Sequence, residues 1–308
     1  MTDNEFMLYD RVEKIKTTIE KYGEENFSIS FSGGKDSTVL SWLVDYALPG
    51  NSIPRVYADT GIDYNLVREF VYGLAENDKR IEIIKPSKPI KQTLDAVGYP
   101  FKSKTHSFFV DVYQRRGKLT GVQEYLGEIP VQRGKNKGTY KYGQYRCPQK
   151  LEYQFTPDGL NFPVSRKCCV EMKEKPLDNW NAKNGYTITM TGVRRAEAGS
   201  RRSANCLSFR GGELRYFQPL APCTDDFVNW LVETYDIELS SIYYPPFNFK
   251  RTGCKGCPFD LQLQKDLDTM QLYFPNEYKQ SLRLWEPVYT EYIKINYRLK
   301  RDLYNGGE

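Results

Sequence analysis

The run SGGKDS at residues 32–37 has the residue types that anion chemistry requires. Two glycines allow a tight backbone turn that points several N–H groups at one ligand, and such a nest of amides suits phosphate. Lys35 adds a mobile positive charge, and the two serines add hydroxyl donors. The run is not a Walker P-loop, because GxxxxGK[ST] is absent. It predicts a phosphate-binding loop of another kind.

A second group of residues consists of thiols. Cys168 and Cys169 are adjacent, and Cys254 and Cys257 form a CxxC motif. Four thiolates can hold a 4Fe–4S cluster or a zinc ion. Adjacent cysteines do not readily share one zinc ion, because neighbouring side chains diverge. Taken alone, the adjacent pair is also typical of buried small side chains, and the CxxC motif is typical of a redox pair or half a zinc site.

Regular elements must position the loop. Before it, Phe27, Ile29 and Phe31 alternate with polar residues, which predicts a strand. After it, apolar residues recur at helical spacing from residue 39 to residue 47. The loop therefore lies where a strand turns into a helix, whose N-terminus favours an anion.

Further strand and helix patterns follow in alternation. Residues 54–61 predict a strand, 64–74 a helix and 81–84 a third strand, and this order indicates a doubly wound parallel sheet. Ligands of such sheets bind beyond the carboxyl ends of the strands. Asp59 lies at such an end, where it could orient a nucleotide, hold Mg²⁺ or cap the next helix.

The rest of the chain divides by pattern. Residues 114–165 lack clear periodicity, which predicts a basic insertion or a loosely structured subdomain. Strands are predicted again at 186–192 and 215–220, a helix after Thr224, and a helical, aromatic-rich region at 262–303. The predicted domains are 1–113, 114–165, 166–260 and 261–308.

Charge and composition limit the function classes. The net charge is +5, but nine Lys and Arg face only two acids between residues 115 and 150. Tyrosines interleave with these cations, which suits nucleic-acid binding and equally suits a flexible solvated loop.

No apolar run is long enough for a membrane span, and the N-terminus is not a signal peptide. We expect a soluble, cytoplasmic protein in which the seven cysteines bind metal or react rather than form disulfides.

The remaining thiols and the single histidine give weaker indications. Cys147, Cys206 and Cys223 are outside the four-cysteine set, and one of them could carry a persulfide. Arg146, beside Cys147, is expected to lower the pKa of that thiol. His106 has no partner that the sequence identifies, so we treat it as structural.

The motifs resemble those of the PAPS/APS reductase family, in the PP-loop ATP pyrophosphatase superfamily. The resemblance rests on SGGKDS at 32–37, ADTG at 58–61, CC at 168–169, TGVRRxE at 191–197 and GCxxC at 253–257. It implies an adenine nucleotide alpha hydrolase-like fold. It also implies a 4Fe–4S cluster, with zinc as the alternative, on Cys168, Cys169, Cys254 and Cys257. Arginines of the TGVRRxE region would contact the phosphosulfate end of the ligand.

Two departures from the reductases favour an ATP-using relative. No cysteine follows Cys257, whereas the reductases carry a catalytic cysteine in a C-terminal Glu-Cys-Gly motif. The SGGKDS loop is also intact, whereas the reductases generally alter it. The resemblance thus implies a sulfurtransferase-type enzyme. It would transfer an adenylyl group from Mg²⁺–ATP, release pyrophosphate and insert sulfur, with nucleic acid as one acceptor class and a protein as one kind of sulfur donor.

Two alternative functions remain open. One is a PAPS/APS reductase, and the other is a non-catalytic nucleic-acid-binding or regulatory protein. The expected catalytic residues are Lys35 and Asp36. The expected nucleotide-binding residues are Ser32, Gly33, Gly34, Lys35, Asp36, Ser37, Asp59, Arg194, Arg195 and Arg201.

Overall fold

The computed structural model describes residues 2–197 and 202–300. By its internal contacts the chain forms two compact units. The first unit comprises residues up to 87 and 173–253, and the second comprises 88–172 and the residues from 254 onward. This division follows spatial contacts, so its boundaries differ from those of the four domains predicted from the sequence. Those four domains stay a prediction.

Within the described residues, the first unit contains a six-stranded sheet with strand order β3-β2-β1-β4-β6-β5. Its strands are β1 (Phe27–Phe31), β2 (Arg55–Ala58), β3 (Ile81–Ile84), β4 (Ile188–Met190), β5 (Leu207–Arg210) and β6 (Glu213–Phe217). All neighbours pair in parallel except β5, which runs antiparallel to β6. The predicted doubly wound parallel sheet is confirmed, and its strand order reverses between β1 and β4.

Helices cover both faces of this sheet. They are α1 (Asp3–Tyr22), α2 (Lys35–Ala47), α3 (Asn65–Asn77), α7 (Lys175–Asn184) and α8 (Asp225–Thr234). The alternation in β1 suggests one polar face, yet Ser28 is fully buried. Its hydroxyl donates to Asn181 Oδ1 of α7 at 2.8 Å, so the polar group is satisfied inside the core.

The second unit is helical. Its helices are α4 (Ile90–Val97), α5 (Lys104–Arg116), α6 (Thr120–Leu126), α9 (Leu263–Tyr273) and α10 (Pro275–Lys294). The segment 114–165 is more ordered than its sequence suggests, because it supplies α6, a 3₁₀ helix at Gln149–Phe155 and the buried side chains Leu151 and Phe155. No helix among the described residues has the length and apolar character needed to cross a membrane.

The boundary predictions hold best where periodicity is strong. Strand β3 lies where the sequence places it, at Ile81–Ile84. Strand β5 and helix α5 were not predicted. Strand β5 is an edge strand with Phe209 55% exposed, so it lacks the alternating burial that identifies a strand.

His106 is a core residue of the second unit, and its partners could not be identified from the sequence. Its side chain is fully buried, with Nδ1 3.0 Å from the Tyr125 hydroxyl and Nε2 2.7 Å from Gln154 Oε1. Burial lowers its pKa to about 4, although the Gln154 hydrogen bond opposes the change. The imidazole is therefore neutral in the folded state at pH 6, where an unfolded chain would already be partly protonated.

We predict that the stability of the second unit falls as the pH drops from about 6.5 toward 4. The unfolded chain binds a proton at His106 in this window and the folded chain does not, which costs up to about 3 kcal/mol. Because the chain has one histidine, NMR titration of its imidazole resonances measures this group alone. A midpoint near 6.5 would contradict the prediction.

Candidate functional site

The phosphate-binding loop predicted at 32–37 connects β1 to α2. Gly34 is the N-cap of α2, and Gly33 has a φ of +66°. A Cβ on Gly33 would lie 2.5 Å from Val71 Cγ2 and 2.9 Å from Val67 Cγ1, both on α3. Only glycine meets both the backbone and the steric requirement here. The loop is therefore packed tightly against α3.

The two serines stabilise the turn from inside. The Ser37 hydroxyl donates to the Gly34 carbonyl at 2.9 Å and accepts from the Ser32 amide at 3.2 Å. The Gly34 amide donates to Ser32 Oγ at 3.3 Å. The amides of Asp36 and Ser37 lie in the first turn of α2, where no carbonyl of the helix can accept from them. These amides and the helix dipole make the turn a site for an anion.

Residues distant in sequence complete the loop. The Lys35 amide donates to the Tyr243 hydroxyl at 2.9 Å, and that hydroxyl also hydrogen-bonds Thr252 Oγ1 at 2.7 Å. The Lys35 ammonium donates to Asn229 Oδ1 at 2.8 Å. Tyr243 and Asn229 were not predicted, because no local pattern in the sequence links them to a loop some 200 residues earlier.

The chain after β4 meets the loop at the reversal of strand order. A Cβ on Gly192 would lie 2.8 Å from the Asp36 carbonyl oxygen, so the two backbones are in close contact. Arg194 then donates from Nε to Asp36 Oδ1 at 2.9 Å and from Nη2 to Asp225 Oδ1 at 2.7 Å. Open α/β sheets bind their ligands at such a switch point. The structure thus brings two predicted site residues, Asp36 and Arg194, together.

Burial makes this ion pair unusual. Arg194 is 4% exposed, and its Nη1 has no hydrogen-bond partner among the described residues. The buried hydroxyl of Thr191, three residues earlier, also lacks one in the same part of the chain. Burial raises the pKa of Asp36 and outweighs the opposing effect of Arg194, while the nearby Glu197 raises it further.

Asp59 has its own set of partners. Its carboxylate accepts from Arg68 Nε at 3.1 Å and Nη2 at 3.0 Å, from the Tyr72 hydroxyl at 2.9 Å and from the Gly61 amide at 3.0 Å. Burial alone would raise the pKa of Asp59, but these hydrogen bonds outweigh it and lower the pKa. No hydrogen bond in the described parts of the chain joins Asp59 to residues 32–37.

The other two predicted arginines differ in position. Arg195 is exposed, and its amide donates to the Ala221 carbonyl at 2.9 Å. Arg201 lies outside the described residues, so its role in the site stays a prediction. Glu197, a member of the same motif, accepts from the Arg194 amide at 3.3 Å and pairs with Arg251.

The four cysteines of the second group all belong to the second unit and influence one another. The pKa of Cys168 is raised by a hydrogen bond with Cys169, by burial and by the charges of Cys257 and Cys254. The pKa of Cys257 is raised well above its usual value by burial and by the charges of Cys254 and Cys169. The four thiols are therefore close enough to resist simultaneous ionisation.

The described side chains of this group are not arranged around one metal ion. In residues 2–197 and 202–300, no three His, Cys, Asp or Glu side chains are placed to hold an ion. A zinc ion would draw its sulfurs to about 4 Å from each other, because each Zn–S bond is about 2.3 Å. The cluster and its zinc alternative both stay predictions.

Helix α10 fixes the CxxC turn from one side. Trp285 Nε1 donates to the Lys255 carbonyl at 2.9 Å, the Tyr289 hydroxyl donates to the Gly256 carbonyl, and the Tyr292 hydroxyl donates to the Pro258 carbonyl at 2.9 Å. These three side chains are fully buried. Their spacing of four and three residues places them on one helix face.

A buried ion pair adds to this scaffold. Lys255, between the two cysteines of the turn, pairs with Glu277 of α10 at 3.2 Å, and both side chains are 6% exposed. The sequence predicted the CxxC motif but not these α10 contacts. In the sequence the aromatic residues of α10 are typical of any helix core.

The other thiols are not activated. Burial raises the pKa of Cys147 to about 12, a nearby Glu152 raises it further, and Lys102 and Arg146 offset only part of the increase. Arg146 lowers this pKa as predicted, but burial dominates, so the thiol has a raised pKa. Burial likewise raises the pKa of Cys206, and raises that of Cys223 to about 12.

A family model supports the sequence resemblance. Residues 131–259 match the phosphoadenosine phosphosulfate reductase domain. The match covers less than half of the chain and includes all four cysteines of the second group, Arg194 and Arg195, but not the loop at 32–37. The resemblance is confirmed for this segment. No curated protein sequence matches the chain.

Several solved structures are similar to the chain at low identity. A phosphoadenylyl-sulfate (PAPS) reductase from Candida auris, in a phosphate complex, has 10% identity over 79% of this chain and 93% of its own, with a TM-score of 0.42. An NH3-dependent NAD synthetase from Campylobacter jejuni has 10% identity over 96% of both chains and a TM-score of 0.41. A U34-tRNA thiolase from Methanococcus maripaludis with its 4Fe–4S cluster has 14% identity over 99% of this chain and 86% of its own, with a TM-score of 0.39. Likenesses at these TM-scores carry no argument about function.

We predict that Gly33→Ala destabilises the first unit by about 2–4 kcal/mol, because it combines left-handed backbone strain with overlap against Val67 and Val71. Gly50→Ala is the matched control. Gly50 also has a positive φ, of +81°, but a Cβ there meets nothing within 4 Å, so it should cost about 1–2 kcal/mol. Urea unfolding measures both variants, and equal losses would show that packing against α3 is unimportant.

Proposed function

We propose, on the premise that residues 131–259 form a phosphoadenosine phosphosulfate reductase domain, that this chain is an ATP-using PP-loop enzyme. It transfers the adenylyl group of ATP to an acceptor, releases pyrophosphate and couples this step to sulfur transfer, with nucleic acid as one acceptor class. The observation that carries the proposal is the loop at 32–37, whose glycine turn and helix N-terminus form a site for an anion.

The β- and γ-phosphates would bind in this loop. The Gly33 amide and the Ser32 hydroxyl would donate to their oxygens. The Gly34 amide and the Ser37 hydroxyl would do so by giving up their present acceptors, Ser32 Oγ and the Gly34 carbonyl. Lys35 would exchange its hydrogen bond with Asn229 for one with a phosphate oxygen. Phosphate is a stronger acceptor than a neutral amide or hydroxyl oxygen, so this exchange is favourable.

The negative charge of the ATP phosphates must be balanced at the loop. Mg²⁺ bound with ATP would offset the negative charge of the phosphates. Asp36 is the carboxylate of the loop itself, and Arg194 holds it in place. Asp59 could contact the metal or the nucleotide only by giving up donors among Arg68, Tyr72 and Gly61, so a structural role fits its geometry better.

The proposed reaction has two bond exchanges. An acceptor oxygen forms a bond to the α-phosphorus, and the bond from that phosphorus to the bridging oxygen breaks, so its electron pair leaves with pyrophosphate. A sulfur nucleophile then attacks the carbon that carries the adenylated oxygen, and AMP leaves with that oxygen. Donors aimed at the phosphates stabilise the charge that develops on the leaving pyrophosphate.

The cysteine site would serve the sulfur step. Cys168, Cys169, Cys254 and Cys257 would hold a 4Fe–4S cluster, which when bound supplies a sulfur-binding or electrostatic function. Helix α10 would keep the CxxC turn in one geometry through its contacts with three backbone carbonyls. Cys168 is buried and the other three cysteines are half-buried, which suits a bound group that is partly protected from water.

We predict that Lys35→Ala and Asp36→Ala each lower pyrophosphate release from Mg²⁺–ATP by at least about 100-fold, because each removes a charge that positions the phosphates. Lys79→Ala, which changes an exposed lysine of the same unit, is the control and should keep full activity. A coupled pyrophosphate assay measures turnover, and calorimetry measures ATP binding. Turnover that persists in both loop variants would exclude the loop as the site.

The family match favours one alternative function, a PAPS/APS reductase. A reductase would release sulfite from a sulfonucleotide and would need a thiol nucleophile. Among the cysteines outside the four-cysteine set, burial raises the pKa of Cys147, Cys206 and Cys223, which argues against each as that nucleophile. Sulfite release without pyrophosphate release would establish this alternative. A non-catalytic binding protein would show neither product.

We predict about four iron and four acid-labile sulfide per chain after anaerobic purification. Cys168→Ser and Cys257→Ser should each lose most of both, because each removes one thiolate of the set. Cys206→Ser, which changes a half-buried thiol of the first unit, is the control and should retain them. Zinc without sulfide in the unaltered protein would contradict the cluster and make the four cysteines a structural site.

A further inference from the structure

The segment 131–146, called here the basic loop, combines charge with exposure. It contains five cations, Arg133, Lys135, Lys137, Lys141 and Arg146, and no acidic residue. Arg133, Lys135 and Lys137 are exposed, and no hydrogen bond or ion pair joins their side chains to other described residues. Three cations within five residues repel one another, and a polyanion would relieve that repulsion.

Three tyrosines of the basic loop are also exposed. The exposed fractions are 56% for Tyr140, 78% for Tyr142 and 63% for Tyr145. Each ring leaves apolar area in water that burial would stabilise. A solvated loop needs its charges but gains nothing from three exposed rings. Aromatic rings that alternate with cations are the arrangement that stacks on bases while neutralising the phosphates between them.

Hydrogen bonds hold the first part of the basic loop in place. The Val131 amide donates to the Thr139 carbonyl at 2.8 Å, and the Gly138 amide donates to the Val131 carbonyl at 2.8 Å. Glu124 of α6 accepts from the Gln132 amide at 2.9 Å and pairs with Lys141 at 3.6 Å. The basic loop is therefore anchored to α6 on both sides of its exposed tip, unlike an unattached linker.

The far end of the basic loop is anchored as well. Arg146 Nε donates to the Leu126 carbonyl, the last residue of α6, at 3.1 Å, and the Cys147 amide donates to the Tyr125 carbonyl at 2.8 Å. The Lys141 ammonium lies 4.9 Å from the ring centre of Phe109 on α5. Two of the five cations are thus used to hold the loop, and three remain for a ligand.

We infer that the basic loop is a binding surface for single-stranded nucleic acid. Arg133, Lys135 and Lys137 neutralise phosphates, and Tyr142 and Tyr145 stack on bases. A duplex does not satisfy this surface, because its base faces are already stacked. The inference rests on the proposed function only in making the bound strand the acceptor of the adenylyl group.

The test measures binding of fluorescein-labelled 15-nucleotide single strands, DNA and RNA, by anisotropy over a range of salt concentrations. The same sequence as a duplex, unlabelled heparin and phosphatidylserine vesicles are the comparison ligands.

The charge variant combines Arg133→Gln, Lys135→Gln and Lys137→Gln, and its control combines Lys16→Gln, Lys21→Gln and Lys79→Gln. The stacking variants are Tyr142→Ala and Tyr145→Ala. Tyr9→Ala is their control, because Tyr9 is 63% exposed, as Tyr145 is.

The surface predicts a distinct effect for each change. The charge variant should reduce the slope of log K against log salt by about 2, since three phosphates on a single strand contribute about 0.7 each. Each stacking variant should weaken single-strand binding at least about fivefold and leave the salt slope unchanged. The control variants should bind as the unaltered protein does.

Three results would overturn the inference. The first is that the protein binds no single strand at low salt. The second is that binding survives both the charge and the stacking variants. The third is that duplex or vesicles bind as tightly as the single strand and the tyrosine changes have no effect. The last would identify a general polyanion or membrane surface. All substituted side chains are exposed, and circular dichroism verifies that each variant is folded.

Different results would overturn the inference and the proposed function. Lys35→Ala should bind the single strand with unchanged affinity, because Lys35 belongs to the first unit and the basic loop to the second. Loss of pyrophosphate release together with intact strand binding therefore tests the ATP site alone. Pyrophosphate release in a protein that binds no strand would overturn the inference and leave the proposed ATP chemistry standing.

Discussion

The first unit depends on the contact between two backbone segments at the reversal of its strand order. Gly192, after β4, lies against the Asp36 carbonyl at the start of α2, and any side chain at 192 would separate them. This contact lets Arg194 reach both Asp36 and Asp225. The first turns of α2 and α8 are thereby joined through one guanidinium. A strand order that separated β1 from β4 would move these two segments apart and could not form this pair.

The second unit must also hold reactive groups close together, and it does so with side chains of a helix instead of a backbone contact. A hydrogen bond with Cys169 raises the pKa of Cys168, burial and the nearby thiols raise that of Cys257, and all four cysteines are free of disulfides. Trp285 and Tyr289 of α10 hold the CxxC turn by two of its carbonyls, and Tyr292 bonds the Pro258 carbonyl just after it. Large buried aromatics supply both the packing area and the polar tip that such a clamp needs. The geometry of the thiols is therefore set by the helix behind them.

Local patterns predicted much of this structure, and distant partners account for what they missed. The alternation before the loop and the helical spacing after it predicted β1 and α2, and the strand and helix patterns at 54–84 predicted the parallel sheet, because each signal lies within some 20 residues. Tyr243, Asn229 and the α10 clamp come from elsewhere in the chain, and only the fold brings them to the motifs. For Cys147 the sequence predicted the effect of its neighbour Arg146 on the pKa but not the larger, opposite effect of burial, because burial is a property of the fold.

The Nη1 nitrogen of Arg194, which has no hydrogen-bond partner among the described residues, links the fold to the proposed chemistry. A buried donor without an acceptor costs about 1–3 kcal/mol, and such a group in a native protein calls for an explanation such as a bound ligand. A phosphate oxygen would supply an acceptor for Arg194. Asp36 and Asp225 already offset the charge of this guanidinium, so an anion would be held by directed hydrogen bonds more than by net charge. Such a site can select a phosphate group and still release a highly charged product such as pyrophosphate.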